Sequence, residues 1–154
     1  MIKIMFVCHG NICRSPMAEF IFKDYVKKMN TSNMFYVESS ATSYEEIGNP
    51  VHYGTKQILN RLGIDCSKKR ARRMTITDYY EFDYIICMDK NNIRNLNNII
   101  GSDSLNKVSL FLNYANLDRN IKDPWYTGNF EETYNDIVLA TKALYDYLLK
   151  INKS

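Results

Sequence analysis

The sequence predicts a single-domain α/β fold: a three-layer α/β/α arrangement around a four-stranded parallel sheet. Apolar runs of strand length alternate with helical patterns along the chain, as in a parallel sheet covered on both faces. The 154 residues, 45% hydrophobic and 24% charged, suit one domain with one sizeable core, spanning residues 1–154. No repeat, low-complexity tract or long linker divides them.

Ile2 to Val7 reads as a buried strand. Ser15 is suited to cap the following helix and Pro16 to fill its first position. Met17, Ala18, Phe20, Ile21, Tyr25 and Met29 then continue at helical spacing. Phe35 to Glu38 is a second strand, and Ser39 to Asn49 a polar loop. Residues 51–62 carry Ile58, Leu59 and Leu62 on a helix that Gly63 can stop. Thr75 to Glu81 suggests a short helical turn. Phe82 to Met88 is a strand apolar enough to be central. Asp89 can cap a helix through Asn98, and Val108 to Leu110 makes the fourth strand. Residues 113–129 read as a long loop containing Asp123-Pro124-Trp125-Tyr126. A last helix from Phe130 to about Lys150 aligns Ile137, Val138, Thr141, Leu144 and Leu148 on one face.

Composition narrows the class of activity. A net charge of +3 suits anionic substrates but is too small to imply nucleic acid. No leader-like segment and no run of membrane-spanning length is present, so a cytoplasmic protein without membrane attachment is expected. Cys8, Cys13, Cys66 and Cys87 match no zinc spacing, and only His9 and His52 could join them, so no metal or other cofactor is expected. Cys66 and Cys87 read as small buried hydrophobes. The run Lys68 to Arg73 reads as a solvated basic loop.

The chemistry concentrates in Cys8-His9-Gly10-Asn11-Ile12-Cys13-Arg14-Ser15. A strand precedes this loop and a helix start follows it. Orphan N–H groups and the helix dipole there favour an anion, so the fold class includes a phosphate-binding loop after the first strand. Arg14 adds a fork for oxyanions. Cys8 sits at the base of the cradle, where the same groups favour the thiolate that attacks. Ser15 can donate a further hydrogen bond to that sulfur. Gly10 and Asn11 are the residues best able to take left-handed backbone angles in so tight a loop. Asp123 is a carboxyl suited to protonating a leaving group, held in an extended direction by Pro124.

The loop resembles the signature loop of the low-molecular-weight protein tyrosine phosphatases. Asp123-Pro124-Trp125-Tyr126, Ser39 to Ser43, Ile47 to Pro50, Ala71-Arg72 and Phe82 to Asp89 are similar to that family too, so the resemblance covers nearly the whole chain. It implies a phosphocysteine intermediate on Cys8. Arg14 and the amides of His9, Gly10, Asn11, Ile12, Cys13, Arg14 and Ser15 would bind phosphoryl oxygens, with Asp123 as general acid and then base. It implies a redox-regulatory role for Cys13 and pocket walls from Ile12, Glu45, Trp125 and Tyr126. The partner would be a phosphotyrosine-containing protein or peptide, the chain a monomer or weak homodimer. Bacterial relatives that dephosphorylate arginine carry threonine where Ile12 stands, so Ile12 favours phosphotyrosine. A carboxylate at Glu45, where many relatives are aromatic, disfavours acidic flanking residues. Eukaryotic relatives often have histidine where Lys69 stands, in a network that supports the residue matching Asn11.

Three rival readings stand beside this one: a protein-arginine phosphatase, an arsenate reductase on the same fold, and a phosphopeptide-binding module. The reductase needs further relay cysteines. A binding module needs no nucleophile.

Overall fold

The computed structural model describes residues 1–152, so the end of the expected 1–154 span lies outside the described residues. Strands β1 (Ile2–Cys8), β2 (Phe35–Ala41), β3 (Tyr84–Cys87) and β4 (Val108–Leu110) form one parallel sheet in the order β2-β1-β3-β4. The helices are α1 (Arg14–Lys28), α2 (Tyr53–Arg61), α3 (Ile76–Glu81), α4 (Lys90–Ile100), α5 (Pro124–Thr127) and α6 (Phe130–Asn152). The expected α/β/α architecture is present. Among the described residues no helix is long and apolar enough to cross a membrane.

The central strand β1 is apolar throughout because both its faces are covered. Its pleat sends alternate side chains to opposite sides. Ile4, Phe6 and Cys8 join Ile86 and Met88 in a core with Phe22 of α1 and Leu144 of α6. Met5 and Val7 join Ile85 and Cys87 in a second core with Tyr79 of α3 and Leu96 of α4. Phe6 holds the first core together, its ring 5.9 Å from Phe22 and 5.0 Å from Phe111. Each such buried side chain contributes about 1.5–3 kcal/mol. Asp103 fastens β4 to α3: it accepts from the Tyr79 hydroxyl at 2.6 Å and from the Lys107 and Val108 amides at 2.8 and 3.0 Å. The winding reverses between β1 and β3. The crevice at the carboxyl ends of those strands is where open α/β sheets bind ligands, and the loop after β1 emerges there.

Several boundaries differ from the sequence reading. Strand β2 continues through Ser39 and Ser40, which are fully buried rather than in a loop. Their hydroxyls donate to Glu19 and to the Met5 sulfur, so burial leaves neither unpaired. Helix α1 begins at Arg14, with Cys13 at the N-cap position and no side-chain capping bond, and Pro16 is its third residue rather than its first. Ser15 therefore lies inside the first turn and is not the cap. Helix α2 starts after His52, whose ring accepts from the Gly54 amide. Helix α4 runs to Ile100 and ends on Gly101 at φ 81°. The stretch expected as one loop contains α5, capped by Asp123.

Candidate active site

The loop from Cys8 to Ser15 is gripped from outside by its own carbonyls. Cys8 and His9 accept from the Thr42 and Ser43 amides at 3.0 and 3.1 Å. Ile12 accepts from the His52 amide at 2.8 Å, and Cys13 from the Thr55 hydroxyl at 3.0 Å. In a trans peptide the following N–H points opposite to the carbonyl. Those four anchors therefore turn the amides of His9, Gly10, Cys13 and Arg14 toward the loop's centre. Two more, of Asn11 and Ser15, point at Cys8 Sγ at 3.3 and 3.4 Å. Ser15 Oγ stands 3.0 Å from the same sulfur. A negative sulfur is well served by these donors.

Asn11 takes the left-handed angle the turn needs, φ 60°; Gly10, expected to share that role, has no positive φ. Gly10 instead keeps close company with Glu46: an added Cβ would come within 3.3 Å of its Cγ. The Asn11 side chain is buried and hydrogen-bonded at both its nitrogen and its oxygen. Nδ2 donates to Ser15 Oγ at 2.7 Å and to Ser39 Oγ at 2.9 Å, and Oδ1 accepts from the Arg72 amide at 3.2 Å. Behind it, Ser39 donates to Glu19, and Lys69 Nζ donates to the Ser39 carbonyl at 2.8 Å while standing 3.4 Å from Glu19. Burial pulls the Lys69 ammonium below its usual value, with Glu19 opposing. The reading of residues 68–73 as a solvated loop is thus corrected. Lys69 points inward, and Arg72 makes a two-pronged pair with Asp78 at 2.8 and 3.2 Å. Lys69 thus supports Asn11 from behind, through Ser39.

Arg14 is 2% exposed and held by three acceptors. Nη1 donates to Asp89 Oδ2 at 2.6 Å and to the Ile121 carbonyl at 2.8 Å; Nη2 lies 3.5 Å from Asp123 Oδ2. Burial works against the guanidinium's charge, and Cys8, Asp89 and Asp123 outweigh it, so its pKa rises. Asp123 is partly exposed; its Oδ1 accepts from the Trp125 amide at 3.0 Å, which orients the carboxyl at the start of α5.

These groups open into one pocket lined by Cys8, His9, Gly10, Ile12, Cys13, Arg14, Glu45, Glu46, Asp123, Trp125 and Tyr126. Asn11 and Ser15 lie behind it as supports. Trp125 and Tyr126 are exposed at the mouth, where His9 Nε2 meets Glu45 Oε2 at 3.0 Å. All four cysteines are unpaired. Burial, followed by the nearby Cys8, drives the Cys13 thiol far above its usual pKa.

The family model for low molecular weight phosphotyrosine protein phosphatase matches residues 3–154. The chain belongs to this family. The low molecular weight protein-tyrosine-phosphatase YfkJ of Bacillus subtilis is 42% identical over 134 residues, 86% of each chain. Its crystal structure superposes with a TM-score of 0.93 at 40% identity, covering 97% of this chain and 96% of that one. The Staphylococcus aureus phosphatase PtpA is 36% identical over 151 residues, 97% of this chain and 96% of its own. A drosophila arginine phosphatase superposes with a TM-score of 0.86 at 30% identity, covering 96% and 98%.

Within this phosphatase fold the sequence reading missed functional neighbours. Asp89 was legible as a helix cap, and it does accept from the Asn92 amide at 2.7 Å; its other oxygen clamps Arg14. Its position at the carboxyl end of a central strand was the available signal. Glu46 lines the pocket beside Glu45. Nothing local marked Glu19 as part of the support: its neighbour Lys23 reads as an ordinary helix pair, and the partners that tie it to the site come from β2 and the segment before α3.

Proposed function

We propose that the protein hydrolyses phosphotyrosine in proteins through a phosphocysteine intermediate. One observation carries the reading: Arg14 and Asp123, 109 residues apart in sequence, meet at 3.5 Å in the pocket that Cys8 lines. Nucleophile, oxyanion clamp and proton donor share one cleft. The substrate's phosphoryl oxygens face Arg14 and the amides of residues 9–15, and its ring lies between Ile12, Trp125 and Tyr126. Cys8 Sγ attacks phosphorus as the thiolate while the bond to the phenolic oxygen breaks. Asp123, protonated at this stage, gives its proton to the departing phenolate. Water then attacks the phosphocysteine, Asp123 takes the water's proton, and the S–P bond breaks to return the thiolate and release phosphate. Ser15 Oγ donates to the departing sulfur. The loop's charge and dipoles supply most of the stabilisation, because phosphoryl transfer asks for positioning more than covalent help.

Glu45 at the mouth disfavours acidic residues beside the phosphotyrosine. Cys13 serves as a redox partner: a peroxide converts the Cys8 thiolate to a sulfenic acid, which condenses with the Cys13 thiol to a disulfide and water. A cytoplasmic location accords with a nucleophilic thiol that must stay reduced.

The arginine phosphatase among the structural neighbours keeps a second substrate in view. Ile12 gives the pocket an apolar wall, which suits a phenyl ring better than a guanidinium. Arsenate reduction is disfavoured because Cys87 faces the opposite core from Cys8 and Cys66 is buried. Phosphate release from phosphotyrosine and phosphoarginine peptides, with native protein and Cys8→Ser, tests the reading. Turnover of phosphotyrosine that vanishes in Cys8→Ser is expected. Turnover of phosphoarginine alone would transfer the assignment to the second substrate.

A further inference from the structure

His52 sits where the segments of the site meet. Its backbone N–H donates to the Ile12 carbonyl of the nucleophile loop at 2.8 Å. Its ring Nδ1 accepts the Gly54 N–H at 3.0 Å and caps α2. Because the amide is the donor, Nδ1 carries no proton in this arrangement. The imidazole stacks on Phe130, the first residue of α6, with centroids 5.1 Å apart and planes at 12°. Its edge meets Trp125 at 5.6 Å and 74°. Trp125 is the residue whose amide orients the Asp123 carboxyl. Gly54 leaves the space this stack needs: a Cβ there would overlap the Phe130 ring.

Capping alone does not account for a histidine here. Asn, Asp, Ser and Thr are the preferred caps, each with a compact side-chain oxygen. What the imidazole adds is a flat ring between Phe130 and Trp125. We propose that His52 is a positioning residue that holds the Asp123–Tyr126 segment in register with the nucleophile loop. Its backbone fixes one side of the pocket through Ile12, and its ring fixes the other through Trp125. The proposal rests on the phosphatase reading above, since the group it places is the proposed general acid.

Two variants separate the cap from the ring. His52→Asn keeps a capping oxygen and removes the ring. His52→Phe keeps a ring and removes the cap. Trp125 is the only tryptophan, so its fluorescence reads the contact without any turnover. Acrylamide quenching is expected to rise in His52→Asn and to stay near native in His52→Phe. A displaced acid matters most when the leaving group is poor. In His52→Asn, kcat/KM is expected to fall about 10-fold for phenyl phosphate and to stay within about twofold for dinitrophenyl phosphate. His52→Phe is expected to keep the native ratio of the two. Native quenching in His52→Asn overturns the proposal. So does an equal loss on both substrates, which marks general damage, or a His52→Phe protein with the ratio of His52→Asn. Native protein inactive on both substrates would sink the phosphatase reading, and the quenching comparison would still decide whether His52 holds Trp125.

Discussion

Asn11 does two jobs at one residue: it adopts φ 60° and it ties the nucleophile loop to β2 and to the Arg72 amide. Glycine and alanine separate them. Asn11→Gly frees the backbone but removes the side-chain bonds, and should destabilise by about 2–4 kcal/mol. Asn11→Ala also meets the left-handed penalty and should cost about 1 kcal/mol more. Urea unfolding of both variants checks the ordering. Asp89 is a second such residue. Asp89→Asn keeps a capping oxygen for α4 but leaves Arg14 without its 2.6 Å charge partner. With that clamp loosened, kcat/KM should fall at least about 10-fold while helix content by circular dichroism stays native. At this scale the sequence was half legible. Asp89 was readable as a cap because the capping pattern is local. Its grip on Arg14 spans 75 residues, and no window of sequence contains it.

Among the elements, α2 depends on a close approach at its first turn. Glycine early in a helix is normally improved by alanine, worth up to about 1 kcal/mol. Here the added methyl would meet the Phe130 ring, and that ring leans on His52. Gly54→Ala is therefore expected to destabilise by about 1–3 kcal/mol, as overpacking does. Thermal melts of native and variant protein give the sign directly. Element boundaries show where periodicity misleads. Ser39 and Ser40 looked like loop because they are polar, yet they lie within β2 with buried, partnered hydroxyls. Ser15 looked like a cap, but the helix starts two residues earlier than that reading has it, at Arg14, and the Ser15 hydroxyl serves Cys8. Lys69 belonged to a run of charges that reads as solvent-facing, and its inward turn follows from the buried Glu19 and the Ser39 carbonyl. Ser39, Ser40 and Lys69 were each claimed by a distant partner that composition does not reveal.

For the whole molecule, stability at low pH rests on carboxyls that fasten separate elements. Burial opposes the charge of Asp78 and Asp103, yet both are held below ordinary carboxylate values. Arg72 and Thr75 outweigh burial at Asp78, and the Tyr79 hydroxyl with the Lys107 and Val108 amides does so at Asp103. A carboxyl with a depressed native pKa contributes stability above its unfolded value of about 3.9. That contribution is lost as pH falls through the native value. Unfolding free energy should therefore decline below about pH 4, and Asp103→Asn should make the decline shallower while lowering stability near about pH 7. Denaturant melts across that range test both statements. The layered architecture itself was readable from apolar runs, because β1 and β3 are buried on both faces and carry almost nothing polar. The arrangement of the loops above the sheet was not, since backbone anchors leave no mark on side-chain pattern.

Those anchors bear on how the chain can change. The loop around Cys8 is gripped by its carbonyls, through Thr42, Ser43, His52 and Thr55. A carbonyl is common to every amino acid, so the identity of His9 is not what keeps the cradle in shape, whereas Ile12 also packs with Cys13 and Ala71. Both His9 and Ile12 line the pocket. Selection can therefore alter what the cleft accepts by exchanging the His9 side chain while the machinery beneath it stays assembled.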